Sequence, residues 1–384
     1  MKAYAKHFDR FEALKNEMEE GRRNGIDYRA DRGKTGAIIN LYHPKTIDCQ
    51  VSEIIEETPD AKTFRLSPAN GYMPPFLAGQ YINVFGEVNG IRTSRPYSIS
   101  SSPLQRMYYD ITVARVADGF FSDYMLNIVK KGDRLQTSGP SGHFYFNPLF
   151  HSKHSVFIAG GCGITPFMSM IREICDAGLN RNVTLLYGNR GEKNIIFHDE
   201  LKELSERNSN INYIPVISDP SGIYSGQCGF IDACCVQKFV PDISECTYYI
   251  CGPEAMYEYC LPQLESMNLP LRKIRREMFP SARDITKEKG WPAGVTGQEE
   301  FSVKVRGVRT ITAKSGETLL AALERAGIII PVNCRCGECS ICRVKLISGK
   351  VFQPRNVHLR LADARFGYIH SCKCYPLEDI EIML

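Results

Sequence analysis

Four cysteines limit what this chain can fold into more than any other feature. Cys334, Cys339 and Cys342 follow the spacing C-x4-C-x2-C, and Cys372 comes after a further 29 residues. Three thiolates from one tight loop and a fourth from a returning segment form the arrangement that a plant-type [2Fe–2S] cluster needs. Gly337 gives the loop room to curl, because a residue without Cβ takes positive φ at no steric cost. A structural zinc site competes for the same thiols, although a zinc ribbon would pair two separate C-x2-C knuckles. A Rieske centre would need two histidines in place of two cysteines, and His370 has no partner in the loop. Cys336 and Cys374 are spares, read as bystanders.

The rest of the chain has to accommodate that loop. At 384 residues it is long enough for two or three domains, and a hydrophobic content of 43% is ample for packed cores. A net charge of +4 without a Lys/Arg block argues against a nucleic-acid partner. No apolar run is long enough to span a membrane. Fifteen cysteines with no export signal suggest a reducing compartment, and the expected location is the cytoplasm.

Residues 1–45 read as an N-terminal extension. Tyr4, Phe8, Phe11, Leu14 and Met18 recur at helical spacing, with Gly21 as the expected stop, and Gly25–Lys45 carries no clear signal. From 46 to 150 the pattern turns to short strands. Cys49–Glu56, Ala61–Leu66, Gln80–Phe85, Ile91–Ser98, Tyr108–Val116 and Arg134–Thr137 are separated by turns such as Asn89-Gly90, which predicts an antiparallel β-barrel.

Between 151 and 282 strands alternate with helices, as a parallel α/β sheet requires. Ser155–Ala159 is a buried-type strand running into Gly160-Gly-Cys-Gly-Ile-Thr-Pro166. Thr165 can cap the next helix, and Pro166 suits its first turn. A strand, a glycine loop and a helix start together make a phosphate cradle, though glycines needed only for a tight turn would look the same. Further strands at Val183–Tyr187, Tyr213–Ser218 and Thr247–Ile250 end near Gly188-Asn-Arg190 and Cys251-Gly-Pro253. Ligands of such sheets bind at the carboxyl ends of the strands. Residues 283–298 read as a linker. Residues 299–384 show a hairpin, a helix stopped by Gly327 and closing strands at Tyr368–Cys372 and Asp379–Met383, an α+β (β-grasp) pattern around the cysteines.

Arg95-Pro-Tyr-Ser98 in the barrel suits a flavin: a guanidinium for phosphate, an aromatic face for the ring and a hydroxyl for a ring nitrogen. With Gly119-Phe-Phe-Ser122, Gly160–Pro166, Tyr187-Gly-x-Arg190, Cys251-Gly-Pro253 and Glu277-Met-Phe279 in order, the chain resembles the ferredoxin–NADP reductase family. Its last segment resembles a plant-type ferredoxin, as in the one-chain electron-transfer components of oxygenases, demethylases or hybrid-cluster proteins.

The resemblance implies roles residue by residue. Arg95, Pro96, Tyr97, Ser98, Val113, Gly119 and Ser122 would bind cofactor, FAD rather than FMN on the match of Gly119 and Ser122. Gly160, Gly161, Gly163, Ile164, Thr165, Pro166, Asn189, Arg190, Cys251, Gly252, Pro253, Glu277 and Phe279 would also contact cofactor. Ser98 would polarise flavin N5, and Cys251 would line the nicotinamide pocket as a positioning contact. Cys334, Cys339, Cys342 and Cys372 would hold the irons. The implied function is an NAD(P)H-dependent reductase passing electrons through FAD and a [2Fe–2S] cluster to an unidentified redox protein. Arg190 and Lys193 argue for NADPH and Glu192 for NADH, which is favoured. A redox-sensing or docking subunit of a larger complex is the alternative.

Overall fold

The computed structural model describes residues 11–25, 28–42, 44–117, 119–222, 224–279, 284–355, 357 and 359–384. The chain forms two compact units that divide after Lys45.

The smaller unit holds two helices, α1 (Phe11–Arg23) and α2 (Tyr28–Tyr42). Gly21 does not stop α1, which runs on through it; Gly25, at φ +79°, follows the helix instead. Helix α2 occupies a stretch that carried no clear signal. Met18 is exposed, while Tyr4 and Phe8 lie outside the described residues.

The larger unit begins with six strands, β1 (Ile47–Thr58), β2 (Ala61–Pro68), β3 (Tyr81–Val88), β4 (Ile91–Ser98), β5 (Tyr109–Ala114) and β6 (Arg134–Thr137). All pair antiparallel, in the order β4-β3-β6-β1-β2-β5. A bridge between Ile99 and Ile111 joins the two outer strands and closes the barrel. Asn89 and Gly90, both at positive φ, make the tight hairpin turn between β3 and β4. Phe64, Leu66, Ile82, Val84 and Ile111 fill the barrel, and helix α3 (Phe120–Asn127) adds Phe121 and Met125 to that core.

A parallel sheet follows, with β7 (His154–Gly160), β8 (Asn182–Asn189), β9 (Ile211–Ile217), β10 (Gln227–Cys228), β11 (Cys246–Cys251) and β12 (Ile274–Glu277). Its order is β10-β9-β8-β7-β11-β12. Helices α4 (Thr165–Asp176) and α5 (His198–Arg207) contribute to a core on one face. Helices α6 (Ala233–Phe239) and α7 (Glu254–Ser266) contribute to the core on the other. Burial on both faces explains why β7 and β11 read as continuous apolar runs rather than alternating ones. The chain leaves β7 toward β8 and returns on its other side as β11, so the carboxyl ends of β7 and β11 flank the crevice where such sheets bind ligands.

The last portion carries β13 (Glu300–Val305), β14 (Arg309–Lys314), β15 (Arg343–Ser348), β16 (Val351–Phe352), β17 (Tyr368–His370), β18 (Tyr375–Pro376) and β19 (Ile380–Met383). Five of them form a mixed sheet, β14-β13-β19-β15-β17. Helix α8 (Leu319–Arg325) packs Leu319, Leu320 and Leu323 into its core. The Thr318 hydroxyl accepts from the Ala321 N–H at 3.2 Å and caps that helix. Ahead of this sheet, Trp291 packs edge-on against Phe352 and Tyr375, and its Nε1–H donates to the Val295 carbonyl at 2.8 Å. Residues 284–298 are thus tied to the cysteine-bearing portion rather than free of it.

Candidate functional site

The barrel presents its flavin motif on β4. Arg95 is half-buried, and its Nη1 donates to Thr93 Oγ1 at 2.9 Å and to the Ser94 carbonyl at 2.8 Å. Burial first, then the nearby Arg335 guanidinium, push its pKa down to about 10. Tyr97 leans on Phe121 with ring centroids 6.4 Å apart, and Pro96, its neighbour in the strand, is buried. Ser98 is 2% exposed, and its hydroxyl finds no partner in the protein. A buried polar atom without a partner is costly, so this hydroxyl fits a ligand that accepts from it. Val113 is fully buried on β5. Gly119 precedes α3, where an added Cβ would overlap Ser122 Oγ and the Val116 carbonyl; the Ser122 hydroxyl donates to the Gly119 carbonyl at 3.3 Å.

The glycine loop faces this motif. Gly161–Ile164 is a short 3₁₀ turn leading into α4, with Pro166 in the first turn as expected. Thr165 does not cap the helix: it is the first helical residue, and its hydroxyl donates to the Cys162 carbonyl at 3.0 Å. The hydroxyl is turned toward the preceding carbonyl, away from the helix-start N–H groups. The glycines divide by role. A Cβ on Gly163 would overlap the Cys251 carbonyl, and one on Gly160 would sit 2.6 Å from Met256 Sδ. Gly161, at φ +50°, has open space around it. Only Gly161 therefore keeps the free volume of a cradle. Cys162 Sγ donates to the Thr112 carbonyl at 3.5 Å, which fastens the loop to barrel strand β5.

Across the crevice Cys251 ends β11. Burial first, then Glu277 and Cys162, raise its thiol well above the usual range. Gly252 donates its N–H to the Tyr257 hydroxyl at 3.1 Å, and that hydroxyl donates to the Glu277 carbonyl. Pro253 opens helix α7. Glu277 is 9% exposed, with its carboxyl raised to about 8 by burial, then by Glu338 and Cys334. Phe279 stands edge-on to Tyr81, centroids 6.5 Å apart. Farther out, Asn189 is buried, and Arg190, 86% exposed, pairs with Asp219 at 3.6 Å.

The cysteine loop lies against both partners. Cys334, Cys336 and Cys339 pack with Tyr81 of the barrel and Met278, next to Glu277. The thiols group as two sets: Cys334 lies near Cys339 and Cys336, and Cys342 near Cys372. With Cys336 set aside, the two cysteines left on each side would suit a binuclear cluster, one pair for each iron. The Cys339 N–H points at Cys334 Sγ at 3.4 Å. Cys374 belongs to the hydrophobic core, whereas Cys336 touches the loop thiols and also stands in C-x2-C spacing to Cys339. His370, fully buried, bonds the Gly337 carbonyl through Nδ1 at 2.9 Å, and the Ser371 hydroxyl donates to the Cys342 carbonyl at 2.8 Å. Sequence reasoning missed these two tethers; their place beside Cys372 was the available signal.

A barrel with a flavin-type strand, a parallel sheet with a nucleotide-type crevice and a cysteine loop at their junction define an iron–sulfur flavoprotein reductase. Residues 48–146 match the oxidoreductase FAD-binding domain, 157–261 the oxidoreductase NAD-binding domain and 303–377 the 2Fe-2S iron-sulfur cluster binding domain. The "NADH oxidoreductase HCR" of Escherichia coli K12 is 30% identical over 334 residues, covering 86% of this chain and 95% of that protein. The "glycine betaine monooxygenase reductase subunit" of Pseudomonas aeruginosa PAO1 is 29% identical over 344 residues, covering 86% and 93%. In fold the chain is similar to phthalate dioxygenase reductase, with TM-score 0.67, 24% identity and coverage of 88% of this chain and 97% of that one. The chain belongs to the ferredoxin–NADP reductase family, in its branch with a C-terminal plant-type ferredoxin domain. It is an NAD(P)H-dependent oxidoreductase that uses FAD and a [2Fe–2S] cluster to carry electrons to a protein acceptor. Among the described residues no helix is long and apolar enough to cross a membrane.

Proposed function

We propose that this protein is the NADH-oxidising component of an oxygenase or demethylase system. The observation that carries the reading is the convergence at Glu277–Phe279: Cys251, Tyr81 and the cysteine loop all meet that segment. When bound, FAD takes hydride from nicotinamide and releases single electrons, which the cluster accepts one at a time. The chain's own residues divide the remaining work. Arg95 would hold the flavin phosphate, Tyr97 would offer its ring face, and the orphan Ser98 hydroxyl would donate to the flavin ring. Gly119 and Ser122 receive the pyrophosphate. Gly161 and the start of α4 take the nicotinamide phosphates, while Cys251 positions the nicotinamide as a neutral thiol. Cys334, Cys339, Cys342 and Cys372 would hold the irons. Half-buried Cys339 and exposed Ile341 mark the exit edge.

NADH is favoured because the edge beside Arg190 carries two carboxylates, Asp219 and Glu192. Arg190 pairs with Asp219, and the Glu192 carboxylate accepts from the Ser221 N–H at 3.0 Å. That leaves an acidic, ordered edge for a ribose 2′-hydroxyl rather than a cationic one for a phosphate. The oxygenase assignment draws on relatives whose names include a glycine betaine monooxygenase reductase and a stachydrine N-demethylase reductase. Residues 46–150, 151–282 and 299–384 serve as the flavin, nicotinamide and ferredoxin domains, joined by 283–298. Fifteen free thiols support a cytoplasmic location.

Anaerobically purified protein is expected to carry one FAD, two irons and two acid-labile sulfides per chain. Its kcat/KM should be higher for NADH than for NADPH. In stopped flow, Ser98→Ala should slow flavin reduction by about 10²-fold, the usual scale for a donor aimed at the reacting atom. Zinc in place of iron, or an unchanged Ser98→Ala rate, would remove the corresponding assignment.

A further inference from the structure

We propose that the Glu324–Arg335 ion pair is a register pin between the ferredoxin domain and the flavin barrel. On this proposal, electron transfer from flavin to cluster depends on the pair, and flavin reduction by nicotinamide does not. The inference rests on the flavin and cluster placement proposed above.

Arg335 stands between Cys334 and Cys336 and holds φ at +54°, a left-handed conformation unusual for a side chain of its size. Its side chain is 8% exposed and that of Glu324, on α8, 10%. The guanidinium donates to both Glu324 carboxylate oxygens. It also reaches out of its own domain, with Nη2 donating to Thr93 Oγ1 at 3.2 Å and Ser94 Oγ at 3.3 Å. Glu324 makes the same crossing by accepting from Thr93 Oγ1 at 3.0 Å. Thr93 and Ser94 directly precede Arg95, which itself donates to the Thr93 hydroxyl and the Ser94 carbonyl. Beside this network Asn83 Nδ2 donates to Asn333 Oδ1 at 2.6 Å, one residue ahead of Cys334.

The network therefore links the flavin strand, the cysteine loop and α8 through charged groups. One carboxylate faces two guanidiniums, Arg95 and Arg335. A buried pair of this kind contributes little net stability, because desolvation offsets the Coulomb attraction, and its best-attested use is to fix register. Removing only the carboxylate leaves two buried cations facing each other, and the face it held together is then driven open. Electron tunnelling decays exponentially with distance, so a loop displaced from the flavin strand transfers slowly even when both sites stay intact. The nicotinamide side, built on Gly161, Cys162 and Cys251, makes no contact with this pair and keeps its geometry.

The test compares full-length holoprotein as wild type, Glu324→Gln, and the double variant Glu324→Leu/Arg335→Met, which replaces the pair with apolar groups of similar size. Iron and FAD contents, hydrogen exchange over β4 and α8, and anaerobic stopped flow with NADH are measured together. In Glu324→Gln we expect both cofactors retained and flavin reduction within about twofold of wild type. Cluster reduction should slow by about tenfold or more, and exchange protection at residues 92–94 and 319–325 should fall, as for a broken buried pair. The double variant should recover most of both, since paired groups are strongly non-additive. Wild-type cluster reduction and protection in Glu324→Gln would overturn the proposal, as would equal slowing of both phases. Loss of iron in Glu324→Gln that the double variant does not restore would also overturn it, assigning the pair to cluster assembly. Wild-type protein lacking FAD or iron would instead refute the placement beneath it.

Discussion

The glycine loop after β7 packs on Cys251 and the cysteine loop ahead of β15 packs beside Glu277, the strand partner of Cys251, yet the two loops are built in opposite ways. In the first, side chains are absent so that backbones can close: Gly163 lies where a Cβ would strike the Cys251 carbonyl, and Gly160 lies against Met256 and Pro253. In the second, side chains define the loop, and Arg335 and Ser340 take left-handed backbone beside Gly337. What holds those angles comes from outside the loop: Glu324, Thr93 and His370. A loop made by omission tolerates no addition. A loop made by substituents tolerates exchange of those that are not ligands.

The sharpest way to break this contrast is within the cysteines. Cys339→Ser should cut reduction of cytochrome c by about 10²-fold, since an oxygen ligand suits the irons poorly, while ferricyanide reduction at the flavin persists. Cys336→Ser should keep two irons and most of the cytochrome c activity. Iron analysis beside the two acceptor assays decides between them.

On the glycine side, Gly163→Ala should destabilise the nicotinamide domain by about 1–3 kcal/mol, the range for overpacking against rigid neighbours. Gly161→Ala, with open space around it, meets only the left-handed penalty of roughly 1–2 kcal/mol, and should raise KM for NADH more than it lowers Tm. Thermal melts with NADH titrations separate the two. Equal Tm losses without a KM change would mean that Gly161 is a turn residue and no cradle.

A smaller effect is expected from Glu277, which lies between Cys251 and the cysteine loop. Glu277 has its carboxyl raised to about 8 by burial, then by Glu338 and Cys334. Between the ordinary carboxylate range and pH 8 the folded protein keeps a proton that the unfolded chain has released. The associated stability is complete below about pH 4.5 and is lost as pH rises through 8. Glu277→Gln should flatten that fall, seen as a Tm difference from wild type of a few degrees that widens from pH 6 to pH 9.

Much of the architecture was legible because its signals are local. Strand periodicity, Asn89-Gly90, the glycine loop and the cysteine spacing each depend on neighbours in the chain, and all of them appear where expected. The start of α4 was misread because Thr165 had two acceptable hydrogen-bond directions, and only the carbonyl of Cys162 decided between them. Gly21 was misread as a stop because a single glycine weakens a helix without obliging it to end. The edge strand Ile274–Glu277 went unrecognised because its central residues are Arg275 and Arg276, and its pairing with β11 decides its conformation.

By itself the sequence determined the three portions of the larger unit, the cofactor set and the ligand candidates, since each is encoded within a few residues of itself. Tertiary structure alone decided how the sites meet. That Arg335 of the cysteine loop would find Thr93, 242 residues earlier in the chain, is written in no spacing. Such contacts arise from whole surfaces closing on one another, where burying the Arg335 guanidinium requires the Glu324 carboxylate beside it.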